Sequence, residues 1–545
     1  MRMFWLSAAT SFRNNRRSRA WRKDPWKSRS NLSTRSWPRW PSATKQRRPV
    51  MNAETSRLRD GGGVRSMAAR WIVTGVMSLE TAAHFGGEGD TAVDIAVLRD
   101  PKEGVPLLPG TSLAGALRGH LADVLGGYRS VEDEKVAVLF GAARSDDEGS
   151  QSPLVVFDSL GTLPEGTVSE IRDGVAIDSA TGTAEVHKKF DFEVLPAGTC
   201  FPVRVELVVG NAKKVVEDPK KEARLVGLLV AALDGLTQGD IALGMRRSRG
   251  LGAVKAGRWK ALRYDLTKPQ DWLAWLTSDH QQPIGDHVQG HSSAAEAIRT
   301  ACPSLKIEAF DDKRRRLLVD LEMEPAGDLL VRSPATEPEA PDVIHLCTAG
   351  KPVLPGTGLA GALRAQALRI ARLVREGHGD GDCWVDRLFG PRLKGGNKDS
   401  EGGQAAASKL RLTESFLEDS DVRRQTRIAI DRFTGGVVSG ALFEEQVQVG
   451  GKLKIRVELR DPSDPEIGLL LLLLKDLLSG NIPVGGTVAV GRGVLRGTAR
   501  VRLPGETVYE IAQDLSVNKE ARKVFDKKIA AFHEAETLKA EEARP

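Results

Sequence analysis

Residues 108–118 read LPGTSLAGALR, and residues 354–364 read LPGTGLAGALR. Each copy predicts the end of a strand, a tight turn at the Pro-Gly pair, and a helix capped by Thr or Ser. In the first copy leucines then recur every four residues, which is the spacing of one apolar helical face. Arg118 and Arg364 fall just beside this face, so we expect their side chains to point towards solvent or a ligand.

The repetition extends beyond this stretch and keeps its order. The matching segments are 139–141 and 388–390, 174–178 and 427–431, and 244–252 and 485–493. The offset between matching positions stays near 241 to 253 residues. Constant order at a nearly constant offset indicates that a whole domain has been duplicated.

Each copy predicts the order strand, helix, strand, strand, helix, strand, with a hairpin inserted. This order is typical of an α+β, ferredoxin-like domain, as in RRM-like modules. We therefore expect a basic disordered extension at 1–66, a first domain at 67–265, a linker at 266–305, a second domain at 306–505 and a solvated helical tail at 506–545. Aromatic residues make up only 5% of the chain, and no stacking motif marks the strands, so RNA binding would depend on loops.

The composition limits the class of protein. The net charge of +7 is concentrated at the start, because residues 1–50 hold fourteen Lys or Arg and one acid. A basic, Trp-rich arm could grip RNA, but the lack of periodicity favours a disordered extension. The four cysteines form no CxxC pair, which fits a reducing cytoplasm and argues against a zinc knuckle. The longest apolar run, 467–474, is too short to cross a bilayer, so we expect a cytoplasmic protein without membrane contact.

Together these motifs resemble the RAMP superfamily, in particular the repeating backbone subunit of type III CRISPR effector complexes. The likeness rests on the helix start quoted above, an Ala-Ile-Asp…Thr-Gly-Thr-Ala hairpin at 176–184, a Pro-Ala-Gly-Thr turn at 196–199 and the closing Gly-rich loops. It covers residues 69–502. The tandem arrangement is similar to the fused backbone subunits of the type III-D group.

The resemblance implies a subunit that holds a guide RNA (crRNA) by its phosphates, alongside complementary target RNA and other CRISPR effector subunits. Each domain would insert a thumb-like hairpin that kinks the guide–target duplex, while base pairing reads the sequence. Segments 171–199 and 427–451 correspond to the two thumbs. The thumb residues singled out are Ile177, Asp178, Ile430 and Asp431.

The Gly-rich loops 244–252 and 485–493 correspond to the RNA-facing loops of the family, where glycine lets the backbone approach phosphate. The predicted RNA-binding residues are Arg118, Arg364, Arg246, Arg247, Arg249, Gly250, Gly252, Gly491, Arg492 and Gly493. An ordinary surface turn is the alternative for each Arg-Gly loop. The family helix often carries Lys where Ala114 and Ala360 stand here, which leaves one phosphate contact per domain without its usual donor.

In catalytic members of the family, a loop Asp before the Leu-Pro-Gly motif supports metal-dependent cleavage of target RNA. Asp94 matches that position, and Asp342 is the best counterpart in the second copy, whose loop is two residues shorter. The resemblance implies that each would hold Mg²⁺ (or Mn²⁺) near the attacking ribose 2′-hydroxyl. The alternative is a pair of turn aspartates, which are frequent in Gly-rich loops.

Three functions remain open. In the first, the chain is a guide-RNA-binding backbone subunit of an antiviral type III CRISPR complex that also acts as a metal-dependent endoribonuclease. It would then cut target RNA at two sites. Alternatively it is the same scaffold without cleavage. A stand-alone endonuclease that processes the guide precursor is the third reading, but that role usually needs a His or Lys acid–base pair, which neither copy repeats.

Overall fold

The computed structural model describes residues 67–87, 93–128, 132–142, 151–178, 181–210, 220–279, 284–285, 288–335, 339–391, 406–505 and 507–538. They belong to one compact unit that spans residues 64–545. The predicted basic extension at 1–66 lies outside the described residues.

The first half of the chain (residues 67–265) is built on a four-stranded antiparallel sheet in the order β3-β7-β1-β8. Its elements are β1 (Met67–Leu79), β2 (Leu107–Leu108), α1 (Gly110–Gly126), α2 (Glu134–Phe140), β3 (Leu154–Val156), β4 (Ser159–Leu160), β5 (Glu170–Ile177), β6 (Ala184–Val194), β7 (Cys200–Gly210), α3 (Lys220–Thr237) and β8 (Val254–Asp265). Along the chain the sheet and its two longer helices follow the order strand, helix, strand, strand, helix, strand. This is the predicted order of elements.

The second half (residues 306–505) repeats this plan in a larger sheet, where β15, β19, β9 and β20 lie side by side. Its elements are β9 (Arg316–Pro325), β10 (Asp328–Leu329), β11 (Arg332–Pro334), β12 (Val343–His345), β13 (Cys347–Thr348), β14 (Lys351–Leu354), α6 (Gly356–Val374), α7 (Gly381–Phe389), β15 (Leu410–Leu412), β16 (Ser415–Glu418), β17 (Asp421–Ile430), β18 (Val437–Val449), β19 (Lys452–Arg460), α8 (Asp464–Leu478) and β20 (Leu495–Arg502). The segment between the halves contains α4 (Pro269–Thr277) and α5 (Ala294–Ala301), and the tail adds β21 (Val508–Ile511) and α9 (Lys519–Glu534).

The helix that opens each repeat packs as predicted but begins differently. In α1 the leucines at the four-residue spacing are all buried. However, Pro109 and Pro355 occupy the N-cap positions, and neither helix has a side-chain cap. Instead, the Asp158 carboxylate accepts the Gly110 N–H at 2.6 Å. The expected Thr or Ser cap was therefore wrong, because an acid from a distant loop satisfies this first donor of the helix.

A long antiparallel hairpin is inserted at the same point of each half. In the first half β5 pairs with β6, and in the second half β17 pairs with β18. The second hairpin begins at Asp421, six residues before the predicted start at 427. Many apolar side chains of both hairpins are exposed, so these elements lie outside the two hydrophobic cores.

The segments outside the repeats are packed against them. Helix α5, in the predicted linker, buries Ala294, Ala297 and Ile298 in the core of the first half. Helix α9 buries Phe525 and Phe532 in the core of the second half, so the expectation of a solvated tail was wrong. Within the described ranges, no helix is both long and apolar enough to cross a membrane.

Candidate nucleic-acid interface

Asp94 and Asp342 hold the same place in the two halves. The Asp94 Oδ2 atom accepts the backbone N–H of Asp191 at 3.0 Å. The Asp342 Oδ2 atom accepts the backbone N–H of Glu444 at 2.8 Å. Asp191 and Glu444 are matching positions on the second strands of the two hairpins, and both loop aspartates are exposed. Each loop aspartate is therefore fixed to the root of its own hairpin.

The residue after each aspartate also makes the same contact with its hairpin in both halves. Ile95 forms a parallel bridge with Phe192, and Val343 forms a parallel bridge with Glu445. These bridges align the two loops although the second is two residues shorter. The structure thus puts Asp342 at the position that corresponds to Asp94.

Further carboxylates lie beside Asp94. A hydrogen bond with Asp173 raises the pKa of Asp191, and burial and the nearby negative charges add to the rise. Lys189 forms an ion pair with Asp173 at 3.1 Å. The Asp191 Oδ1 atom is shielded from solvent, and no N–H group of the described residues donates to it. This corner of the first half therefore brings three carboxylates, those of Asp94, Asp173 and Asp191, close to a single lysine.

The corresponding corner of the second half has fewer acidic side chains. Thr426 stands where the first half has Asp173, and its hydroxyl donates to the Glu444 carboxylate at 3.3 Å. Asp342 therefore has one acidic neighbour on the hairpin instead of two. The two corners share a loop aspartate and an acid on the second strand.

These oxygens fit a hydrated divalent cation better than a fully protein-bound one. In the part of the chain that the structure describes, no group of three or more His, Cys, Asp or Glu side chains is arranged to hold a metal ion. Mg²⁺, however, is commonly bound through one or two carboxylates and keeps several waters. Asp94 with Asp191 offers that donor set, since the charge of Asp94 acts on Asp191, and Asp342 offers one exposed carboxylate in the second half.

The Gly-rich loop of the first half packs against protein. Gly250 is buried at φ +94°, and a Cβ there would lie 2.4 Å from the backbone nitrogen of Glu414 in the second half. At Gly252 a Cβ would lie 1.8 Å from the Leu243 carbonyl oxygen. The prediction that these two glycines face RNA is corrected, because their missing side chains permit close backbone packing instead.

The matching loop of the second half is more open. Gly491 is exposed at φ +87°, and none of the described residues lies within 4 Å of a Cβ built on it. Gly493 is buried, with a Cβ position 1.9 Å from the Val484 carbonyl oxygen. Arg492 is buried as well. Its guanidinium donates to Glu445 at 2.6 Å and to the Gln425 side chain. The prediction that Arg492 offers its charge to RNA is corrected, since Glu445 already neutralises it.

Most of the other predicted cations are also engaged within the protein. Arg118 makes a bidentate pair with Glu132, at 3.0 and 2.7 Å. Arg364 pairs with Asp386 and donates to the Gly390 carbonyl.

The three arginines of the first loop differ in exposure. The Arg246 guanidinium lies over Phe190 and Phe192, 5.0 and 4.6 Å from their ring centroids, and burial lowers its pKa. Arg247 and Arg249 are exposed. Of the predicted cations, these two are the most accessible to a phosphate.

The tips of the hairpins use the same turn. The Asp431 carboxylate accepts the N–H groups of Phe433 and Thr434, at 2.8 and 2.9 Å, which lowers the pKa of Asp431. The Asp178 carboxylate accepts the Thr181 N–H at 3.3 Å in the first hairpin. The side chains of Ile177 and Ile430 are exposed. Asp178 and Asp431 therefore shape the tips, and the isoleucines are free to contact a ligand.

Two acids on the second strands of the hairpins are site residues that no motif in the sequence marks. Asp191 and Glu444 stand at the same offset as the rest of the two hairpins, and both are acidic. An acid retained in both copies was a detectable signal. Neither residue lies in a Gly-rich loop or beside the Leu-Pro-Gly motif, so this signal is separate from the motifs that predict the site.

Comparisons with known proteins agree with the repeated architecture. A sequence model of the RAMP superfamily matches residues 76–255 and 348–496. The chain is 28% identical over 207 residues to the CRISPR system Cms endoribonuclease Csm3 of Streptococcus thermophilus, which covers 34% of this chain and 85% of that protein. The protein of the same name from Mycobacterium tuberculosis is 28% identical over 224 residues, covering 35% of this chain and 89% of the relative. Each alignment thus spans most of the relative but about a third of this chain.

Proposed function

This chain belongs to the RAMP superfamily, and from that membership we propose that it is a guide-RNA-binding backbone subunit of a type III CRISPR effector complex that also cuts the guide-paired target RNA. The two matched regions support a tandem fusion of two such subunits, as in the type III-D group. The relatives carry the name endoribonuclease, which supports a nuclease role.

We further propose that each half is a ferredoxin-like domain with a thumb hairpin, bounded at 67–265 and 306–505. The strand order 2-3-1-4, counted along the four core strands of each half, supports this assignment. The hairpins β5–β6 and β17–β18 are the thumbs. Their exposed apolar side chains suit insertion between splayed bases.

One observation carries the catalytic proposal: a loop carboxylate is fixed in the same way to the root of each hairpin. A single backbone N–H holds one oxygen of Asp94 or Asp342, and the exposed carboxylate stays directed to the hairpin. A duplex kinked by that hairpin would present its displaced nucleotide beside the carboxylate. Two equivalent sites predict two cuts in the target.

Cleavage by the ribose 2′-hydroxyl needs this group in line with the scissile phosphate. The hairpin contributes by holding the nucleotide in that arrangement. Asp94 with Asp191 in the first half, and Asp342 in the second, would hold the hydrated cation. When bound, Mg²⁺ or Mn²⁺ supplies charge stabilisation and orientation at the reacting phosphate.

Guide-RNA binding is proposed to rest on few free cations. Arg247 and Arg249 are exposed beside the first hairpin and can pair with phosphates. The exposed Gly491 lets the backbone approach RNA in the second half. The scaffold without cleavage remains the second candidate, because no group of three metal ligands lies among the described residues.

The test is cleavage of a labelled complementary RNA by the assembled complex in Mg²⁺. We expect Asp94→Asn to remove one cut and Asp342→Asn to remove the other, each by roughly 100-fold or more in rate. Guide and target binding should not change, because the carboxylates do not serve as phosphate contacts.

The matched control is Asp100→Asn. The Asp100 carboxylate also accepts backbone N–H groups, from Lys102 and Glu103 at 3.0 and 2.8 Å, so it caps its own turn and does not hold a hairpin strand. Its cutting pattern should equal that of the unmodified complex. If both cuts persist in the Asp94 and Asp342 variants, the site assignment is wrong. If the unmodified complex binds target without cutting it, the scaffold is the correct function.

A further inference from the structure

The two hairpins are anchored in different ways. In the first hairpin, Arg172 on β5 reaches the second half of the chain and makes a bidentate pair with Glu414. The guanidinium nitrogens lie 2.5 and 3.1 Å from the two carboxylate oxygens. The side chains are only 5% and 1% exposed. The root of the first hairpin is therefore joined to the other half by a buried ion pair.

Two further contacts accompany this pair. The Ala349 N–H of the second half donates to the Glu170 carboxylate at 2.7 Å. Just beyond β6, the Ala197 N–H donates to the Thr348 hydroxyl at 3.4 Å. Glu170 and Arg172 are two residues apart, so their side chains lie on the same face of β5. The second half thus holds this strand where it leaves the body of the protein.

The second hairpin is anchored within its own half. Arg423 and Gln425 stand where the first hairpin has Glu170 and Arg172. The side chains of both donate to Asp328, which lies in the same half. Strand β18 also pairs with β10 and β12 of that half. The second hairpin therefore needs no contact with the first half to keep its orientation.

The Arg172–Glu414 pair is connected to the proposed catalytic corner. Arg172 lies directly opposite Phe192 in the β5–β6 ladder, and Asp173 lies opposite Asp191. The Asp191 N–H is the donor that fixes Asp94. A movement of β5 at Arg172 is therefore passed to Asp94 through one rung of the ladder.

Energetics favour an orienting role over a stabilising one. Burial of two charges costs about as much as their attraction returns, so such a pair adds little net stability. The Arg172 Nε atom is buried and has no hydrogen-bond partner among the described residues, which makes the net contribution of the pair to stability still smaller. The pair instead fixes the orientation of β5, because a planar guanidinium pairs with a carboxylate in one geometry.

We propose that Arg172 and Glu414 are positioning residues through which the second half sets the orientation of the first hairpin. The second hairpin has no such dependence on the first half. The orientation claim stands on geometry alone, and its consequence for cutting at Asp94 rests on the proposed function.

The experiment measures hydrogen exchange of the full chain without RNA, in hairpins 170–194 and 421–449. Glu414→Gln keeps the size and one acceptor but removes the charge, and Arg172→Met keeps the length of the stem. We expect roughly 10-fold faster exchange in the first hairpin and no change in the second. Asp328→Asn is the matched control, and it should loosen the second hairpin alone. The reversed pair, Arg172→Glu with Glu414→Arg, should recover part of the protection.

Cutting by the assembled complex is the second readout. The same variants should slow the cut assigned to Asp94 and leave the cut assigned to Asp342 at its normal rate. If exchange in the first hairpin does not change, or if both hairpins loosen together, the positioning role is overturned. If exchange changes as expected but the unmodified complex makes no cut, the proposed nuclease function fails and the positioning role stands.

Discussion

At the level of single residues, burial keeps His120 uncharged. This histidine lies on α1, and burial lowers its pKa to about 4, with the positive charge of Arg314 acting in the same direction. Asp240 and Asp312 oppose the shift, while Arg316 adds to it. Since the unfolded chain binds a proton near pH 6.5, the native state binds fewer protons between pH 6.5 and 4. Stability is therefore full above pH 6.5 and falls as the pH drops towards 4.

We expect this histidine alone to account for up to about 3 kcal/mol of stability lost by pH 4. His120→Gln should flatten that part of the dependence, measured as the urea midpoint from pH 7.5 to 4.5. His345 in the second half also has its pKa lowered to about 4 by burial, so some dependence remains. His378→Gln, at an exposed position, is the control and should leave the profile as it is. An unchanged slope in His120→Gln would rule out this account.

A second prediction at this scale concerns two matching glycines. Gly250 and Gly491 both have positive φ, so alanine is strained at either by about 1–2 kcal/mol. At Gly250 a Cβ also meets the backbone of Glu414, while at Gly491 it meets nothing. Gly250→Ala should therefore lower the free energy of unfolding by roughly 1–3 kcal/mol more than Gly491→Ala. Equal losses in denaturant titrations would show that Gly250 is not packed between the halves.

These glycines also show where prediction from the sequence stops. The repeat predicted that Gly250 and Gly491 share a turn, and both are left-handed. Their surroundings differ because one loop meets the other half and its counterpart does not. In the same way, nothing in the string around Arg492 indicates that Glu445 and Gln425, more than forty residues away, would enclose it.

At the level of elements, the side chain of a buried arginine caps the C-terminal end of helix α9. Arg375 follows α6, and its side chain is fully buried. It donates to the carbonyls of His533 and Ala535, at 3.0 and 2.8 Å, and pairs with Asp380. It thereby satisfies acceptors that the end of α9 would otherwise leave open. Arg375→Met removes these donors and leaves the Asp380 charge buried.

We expect Arg375→Met to lower the stability of the second half by about 3–5 kcal/mol and to free the tail for proteolysis. Arg372→Met is the matched control, because Arg372 pairs with Asp382 on the exposed surface, where such pairs contribute about 1 kcal/mol or less. Proteolysis followed by mass spectrometry reads out the tail directly. Equal cleavage of the two variants would show that Arg375 does not hold α9.

Elements with local signals were predicted well. The leucine spacing after Gly110 predicted α1, and the apolar run at 467–474 lies in the buried helix α8. The tail is not a solvated helix, because Ala521, Phe525 and Phe532 form a narrow buried face among many charged residues. Their partner surface lies on α8, where a Cβ at Gly468 would come within 2.2 Å of the Lys528 carbonyl. The apolar spacing of α9 indicates a helical face, but the surface that covers this face depends on tertiary structure.

At the level of the whole molecule, duplication was visible in the sequence, but the contact between the copies was not. A constant offset indicates two copies, but it carries no information about which surfaces of the two copies are in contact. The meeting point is a cluster of charges around Asp240, which follows α3. Asp240 pairs with Arg314 and Arg316, at 2.8 and 2.9 Å, and its carbonyl accepts from Arg411 at 2.9 Å. Because these arginines belong to the second half, the cluster fastens the two cores together.

Burial opposes ionisation of Asp240, yet Arg314 and Arg316 overcome it and lower the pKa of Asp240 to about 2. The native carboxylate thus holds its proton less tightly than the unfolded one. This contribution, about 2 kcal/mol, is present above the ordinary pKa of 3.8 and disappears as the pH falls towards 2. At neutral pH, Asp240→Asn should remove it and leave Asp312 as the remaining carboxylate partner of Arg314 and Arg316.

We therefore expect Asp240→Asn to weaken the coupling between the cores more than it weakens either core. In calorimetry, a single transition should broaden or split into two, since each half has its own hydrophobic cluster. Asp461→Asn is the control, because Asp461 pairs with Arg315 at 3.6 Å on the exposed surface and should leave the trace unchanged. A single sharp transition at a lower temperature in Asp240→Asn would mean that the halves unfold together whatever happens at this cluster. Coupling would then have to come from backbone packing such as that at Gly250.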